Sequence, residues 1–191
     1  MSPRSTEQNE AQRAQTRLLI LETALKAFAE KGYASASISY IAKEAGISKG
    51  LSYHYFKNKE DLLVGIFEML AGMADGLEAA WEGKTPREKL AMAIEMTFQI
   101  LKEQPQTVRF MTALALQPEV TSHLKALIEA QKLINIKVYE EIFTELNYKE
   151  AEAEAYAFGA LLDGVALGNL AIGDDYPLDT MKKVLYAKYD L

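Results

Sequence analysis

The sequence predicts an all-α chain of about nine helices, in which a head of three short helices precedes a larger helical body. Three observations carry this. Apolar residues recur at three- and four-residue steps along most of the chain. Ser, Thr, Asn and Pro stand where helices would begin, and Gly where they would stop. No internal repeat or long linker interrupts the series.

Helix one is "TRLLILETALKAFAEKG", with Ile20, Leu21, Ala24, Leu25 and Phe28 on one face and Gly32 as its stop. Residues 1–12 before it are expected to form a flexible arm. Ser37 caps helix two, "ISYIAKEA", whose Ile38, Ile41, Ala42 and Ala45 share a face. Gly46 ends it, Ile47 anchors the turn, and Ser48 caps a third helix running to about Phe56. Asn58 caps a long fourth helix expected to reach about Trp81. Three short helices with a glycine-containing turn between the second and third describe a helix-turn-helix unit. The domain boundary is therefore placed between 59 and 60, with residues 60–191 as the body.

Within the body, Thr85-Pro86-Arg87-Glu88 reads as a capping box with proline at the first helical position, starting helix five. Pro105 opens helix six, and Pro118 a seventh that continues to about Asn147. The run "KEAEAEAYAFGALLDGVALGNLAIG" makes helix eight, and Pro177 starts helix nine, ending near Tyr189. Helix eight carries Tyr156, Phe158, Leu161, Leu162, Val165, Leu167, Leu170 and Ile172, apolar nearly all round, which a surface helix is not. Helix nine adds Leu178, Met181, Val184 and Leu185. Helices eight and nine of two subunits are expected to pair about a two-fold axis into a homodimer through Phe158, Leu162, Val165, Leu167, Leu170, Met181 and Leu185.

Composition narrows the functional classes. The chain has 191 residues, 49% apolar and 25% charged, as a globular protein does. With no cysteine, disulfides and thiolate metal sites are excluded. The start, "MSPRSTEQNEAQRAQ", lacks the apolar core of a secretory signal. No apolar run is read as approaching the length of a membrane span, so a cytoplasmic protein with no membrane partner is expected. The net charge of -6 is unevenly spread: residues 1–59 carry nine Lys/Arg against five Asp/Glu, and residues 60–191 twelve against twenty-two. That pattern suits a basic head meeting a polyanion. Two histidines, His54 and His123, leave little for a metal cluster or a nucleophilic triad. No catalytic site, cofactor or metal is expected, and "GDDYP" at 173–177 reads as a turn and helix start.

Helix three, "KGLSYHYF", is the informative segment. Turning about 100° per residue puts Lys49, Ser52 and Phe56 on one side. Gly50, Leu51 and His54 fall opposite, with Tyr53 and Tyr55 on the flanks. Phe56 is the core anchor. A glycine near the helix start admits close approach of a partner, at about 1 kcal/mol of helix propensity. A face of small, apolar and aromatic-polar groups suits the major groove of DNA better than water.

The run "AFAEKGYASASISYIAKEAGISKGLSYHYFKNKEDLL" closely resembles the amino-terminal DNA-binding domain of the tetracycline-repressor (TetR) family. The match covers about residues 13 to 64 through Phe28, Gly32, Ile41, Ala42, Ala45, Gly46, Ser48, Gly50, Tyr53, Phe56, Lys59 and Leu62. One departure stands out: Ser52 occupies a core-side position that is usually aliphatic, and Leu51 one that is more often small or polar. The resemblance implies an all-helical ligand-binding and dimerisation domain behind the head. It implies a dimeric regulator, most simply a repressor, that binds a palindromic double-stranded DNA operator and releases it when a small-molecule effector binds.

It also implies roles. Ser37 and Ser39 open helix two where phosphate or a base edge is met, although Ser39 fits a solvated serine equally well. Ser48, Lys49, Gly50 and Leu51 begin the helix that enters the major groove. Tyr53, His54 and Tyr55 match positions touching phosphates and some bases. Lys59 clamps a phosphate at the start of helix four, and Lys57 is either a phosphate contact or a solvated lysine. In the body, Met69, Met73, Met92, Met96, Phe98, Phe110, Met111 and Leu114 recur on apolar faces; as a set they can line an adaptable pocket for an apolar or amphipathic molecule. His123 and Asp163 are candidate polar groups for it, and Asp163 is expected to be partly buried. Two other classes stay open: a helical small-molecule-binding protein, and a protein-binding coregulator with a vestigial helix-turn-helix. Salt-sensitive duplex binding discriminates against both.

Overall fold

The computed structural model describes residues 6–115 and 125–191. Among them are nine α-helices and no strand. They are α1 (Thr6–Lys31), α2 (Ile38–Glu44), α3 (Lys49–Tyr55), α4 (Lys59–Ala80), α5 (Pro86–Glu103) and α6 (Pro105–Ala115), then α7 (Lys125–Glu145), α8 (Ala151–Ile172) and α9 (Leu178–Tyr189). A 3-10 turn, Gly173–Asp175, separates the last two. The expected helix start at Pro118 lies outside the described residues.

Two compact units divide the chain, one up to Ala74 and one from Asp75 to Leu191. The division falls inside α4, fifteen residues later than the expected boundary at 59/60, because the first turns of α4 bury Leu62, Leu63 and Ile66 in the head's core. A second revision concerns the expected arm: α1 is already helical from Thr6.

The head's core is Ile20, Leu21, Ala24, Leu25 and Phe28 of α1, Ile38, Ile41 and Ala42 of α2, Phe56, and the three apolar residues of α4. Each fully buried large side chain stabilises the unit by about 1.5–3 kcal/mol. α4 comes close to α1 at Gly65, where a Cβ would stand 2.8 Å from Leu21 and 3.1 Å from Phe56.

The second unit is built on α5, α7 and α8. α7 packs along α8, and α5 packs against α6, α7, α8 and α9. Its centre is aromatic. The Phe158 ring meets Tyr139 at 4.9 Å, Tyr189 at 5.2 Å and Phe143 at 5.9 Å, in tilted or edge-on geometry that aromatic quadrupoles favour. The expected capping box forms: Thr85 accepts from the Glu88 amide and Glu88 accepts from the Thr85 amide. At the far end, Arg87 donates to the carbonyls of Tyr189 (3.1 Å) and Asp190 (2.8 Å), holding the end of α9.

Which side of α8 faces inward differs from expectation. Phe158, Leu162 and Val165 are buried in their own unit, as is Leu185 of α9. Met181 is half-buried against the same core, and Leu170 is half-buried. Of the expected interface residues only Leu167, 54% exposed, points outward; it is joined by Tyr156, Leu161, Ile172 and Val184. Asp163, expected to be partly buried, is exposed. A helix apolar on every side gives no wheel-based choice between its faces, and the aromatic cluster decides it. An 18-residue window within residues 151–175 is also long and apolar enough to cross a membrane, with mean hydropathy 1.5, contrary to the expectation that no run would be. Here the stretch gives Ala155, Phe158, Leu162 and Val165 to the core of a helical unit and leaves most of its other residues outside it.

Candidate nucleic-acid interface

α2 and α3 are each seven residues long, too short to be stable alone, so caps and packing hold them. Ser37 Oγ accepts from the Tyr40 amide (3.1 Å), and Ser48 Oγ accepts from the Leu51 amide (3.1 Å). Each cap uses an oxygen lone pair and leaves the hydroxyl hydrogen free to donate outward. Between the helices, Gly46 adopts φ +68°, and the Ile47 amide donates back to Ala42 O (3.0 Å). This tight turn sets the crossing of α2 and α3.

On α3, Ser52 is buried with Phe56, and its hydroxyl donates to Lys49 O at 2.8 Å. That bond is what lets a serine occupy a core-side position. Gly50, Leu51, Tyr53 and His54 are exposed, and no atom lies within 4 Å of a Cβ built at Gly50. Leu51 and Tyr53, 39% and 45% exposed, are large apolar groups left in water on a well-packed unit. Lys49 was expected on the core side, but at the helix's first position it is exposed, its ammonium 5.8 Å from the Tyr53 ring. Tyr55 is half-buried and meets His54 edge-on at 5.8 Å. Ser39 and Lys57 are exposed, and the Lys57 amide donates to Asp61.

Lys59 is employed differently from expectation. Its ammonium donates to Tyr33 O (2.8 Å) and Ala34 O (3.0 Å) and sits 4.6 Å above the Tyr33 ring. Two of three donors therefore hold the connection between α1 and α2, leaving one for a phosphate. The start of α4 is also partly occupied: Asn58 Oδ1 accepts from the Asp61 amide at 2.7 Å, and Glu60 and Asp61 place carboxylates there. Burial, with help from the charge of Glu60 and a hydrogen bond to it, pushes the Tyr33 phenol up to about 12, so it stays neutral and donates.

None of the expected effector residues lines either of the two cavities described below. Phe98, Phe110 and Leu114 are buried, and Met92 and Met96 are half-buried in the second unit. Met111 is exposed, and Met69 belongs to the first unit. His123 and the side chain of Met73 lie outside the described residues. What periodicity did not indicate is an open cleft of about 560 Å3 lined by Trp81, Lys84, Lys89, Val138, Glu141 and Ile142, at the turn after α4. The Trp81 indole N–H is buried without a hydrogen-bond partner among the described residues. Also missed was a groove in the head, lined by Arg13, Arg17, His54 and Tyr55, because α1 was taken to begin later. No group of three or more His, Cys, Asp or Glu side chains able to hold a metal occurs among the described residues.

Residues 20–66 match the family profile described as bacterial regulatory proteins, tetR family. Over 84 residues the chain is 40% identical to a fatty acid metabolism regulator protein of Bacillus subtilis (strain 168), 43% of each chain. Over 137 residues it is 30% identical to the HTH-type transcriptional regulator AcrR of Shigella flexneri, 70% of this chain and 64% of that one. The chain thus spans less than two thirds of either relative's length. Two solved structures share the fold. One is the transcriptional regulator FadR of Bacillus subtilis in complex with stearoyl-CoA, with TM-score 0.76 and 24% identity over 90% of this chain and 96% of that one. The other is a transcriptional regulator of Saccharomonospora viridis in complex with choline, with TM-score 0.75 and 20% identity over 93% and 96%.

Proposed function

The chain belongs to the tetR family of bacterial regulatory proteins, and from that premise we propose that it is a ligand-responsive, dimeric, DNA-binding repressor of transcription in the bacterial cytoplasm. One observation carries the DNA reading. α3 exposes Lys49, Gly50, Leu51, Tyr53 and His54 together, on a helix whose opposite side is anchored by Phe56 and Ser52. A leucine and a tyrosine left in water beside a free glycine backbone form a surface that the major groove covers: Leu51 fits a thymine methyl, and the Ser48, Tyr53 and Tyr55 hydroxyls reach base edges or phosphates. The dimer joins through the outward face of Tyr156, Leu161, Leu167, Ile172 and Val184, and its two copies of α3 read the two halves of a palindrome.

For the effector, the reading is an amphipathic molecule with a long apolar part. Phe158 contacts Tyr139, Phe143 and Tyr189 at 4.9–5.9 Å, which leaves no room for a small cation between these rings, whereas Met92 and Met96 are half-buried and adaptable. The fatty acid regulator and the stearoyl-CoA complex among the similar proteins fit that chemistry. Selection of bound sequences from random duplex DNA tests the first part, and a palindromic consensus is the expected result. Addition of a long-chain acyl-CoA, with choline as comparison, tests the second: the acyl-CoA is expected to release the selected duplex and to change the fluorescence of Trp81, the sole tryptophan. Duplex binding without sequence preference would sink the regulator reading.

A further inference from the structure

The face of α1 that enters the head's core at Ile20, Leu21 and Ala24 continues towards the amino terminus as Arg17, Ala14, Arg13 and Glu10, still at three- and four-residue steps. These four residues form one wall of an open groove of about 350 Å3, with His54 and Tyr55 of α3 lining it too. The two arginines are held differently. Arg17 pairs with Glu68 at 3.1 Å and lies 5.4 Å over the Phe56 ring, so it is part of the packing between α1 and α4. Arg13 is exposed and has no ion pair among the described residues; Glu10 is the one carboxylate lining the groove.

Length decides what this groove meets. Seven residues of α3 rise about 10 Å, less than the roughly 12 Å width of a B-DNA major groove. With the first turn of α3 against base edges, whatever flanks its last turn stands at the phosphate wall. Arg13 is there, on a separate helix, with His54 and Tyr55 beside it to donate hydrogen bonds. We propose that this groove receives one backbone phosphate of the operator in each half-site, held by Arg13 of α1 from outside the helix-turn-helix. The contact rests on the DNA-binding reading above and adds a residue that the family resemblance does not assign. Being a phosphate contact, it sets how α3 is seated and carries no base preference of its own.

The test uses the full chain and its selected duplex, with binding measured across a salt series. Arg13→Gln is expected to fold as wild type, since Arg13 is exposed, and to flatten the slope of log affinity against log salt by about 0.9 per protomer. The order of preference among base-substituted duplexes should not change, and Arg13→Lys should restore most of the slope. Uncharged methylphosphonates stepped along the flank locate the contact: wild type loses affinity at one position per half-site, and Arg13→Gln is indifferent there. Inorganic phosphate at matched ionic strength should leave wild-type binding unchanged. If it competes with wild type alone, the groove is a free-anion site and the proposal fails. An unchanged slope in an Arg13→Gln protein that still binds specifically overturns the groove contact and leaves the DNA reading intact. Wild-type protein without salt-sensitive duplex binding overturns both.

Discussion

Lys59 and Ser52 are single side chains whose work is decided by what lies opposite them. With its ammonium on Tyr33 O and Ala34 O, Lys59 fastens the start of α4 to the turn after α1. Lys59→Ala should therefore lower the head's stability by about 1–2 kcal/mol, the lower range for hydrogen bonds to a charged group at a partly exposed site. Urea unfolding read by circular dichroism checks this, and an unchanged midpoint would show the clamp to be idle. The sequence marked Lys59 as significant by position but could not say which acceptors it meets, because Tyr33 is 26 residues away and only the folded turn brings it close. Ser52 was legible as a core-side departure; its remedy, a hydroxyl donating to Lys49 O, is local and could have been read from the helical spacing.

At the scale of elements, helix starts were legible where a side chain carries the signal. Ser37, Ser48, Asn58 and Thr85 all cap as their types suggest. The faces of α8 were not legible, since Leu162 and Leu167 are equally apolar and only the Phe143, Phe158 and Tyr189 cluster selects one side. Two substitutions separate those faces. Leu167→Glu should give folded monomers that no longer bind the operator, whereas Leu162→Glu should fail to fold, as sedimentation and circular dichroism together would show. A stable dimer of Leu167→Glu would remove α8 from the interface. Gly65→Ala should cost about 1–3 kcal/mol, because the new methyl meets Leu21 and Phe56 inside a packed core. Between α5 and α9, Glu95 accepts from Lys182 and from Tyr186 (2.6 Å), and these bonds hold its carboxyl below the ordinary value of 4.5. A depressed carboxylate contributes stability above its unfolded pKa and loses it as pH falls through the folded one. Wild type should then lose stability more steeply below about pH 4.5 than Glu95→Gln does, a difference that urea midpoints measured from neutral to acid pH would reveal.

For the whole molecule, regulation is a matter of linkage. An effector that weakens operator binding tenfold must itself bind the operator complex tenfold more weakly, a coupling of about 1.4 kcal/mol. Titrating acyl-CoA against free protein and against the complex measures it directly, and equal affinities would rule that effector out. The basic-to-acidic gradient along the chain was legible from counting. The place where the units divide was not, because α4 continues through it without a break in periodicity.

The apolar character of α8 has a further consequence during synthesis. Before α5 and α7 pack against it, the middle of α8 is a newly made segment long and apolar enough to cross a membrane. Near its centre, at residue 163, the sequence has an aspartate, exposed on the finished protein. An aspartate at the centre of a bilayer-spanning helix costs about 2.5–3.5 kcal/mol, more than any other position along the segment would impose. Asp163 therefore raises the cost of placing this helix in lipid. Fused to an insertion reporter, the 151–175 segment should remain in water as it stands and enter the membrane as Asp163→Leu.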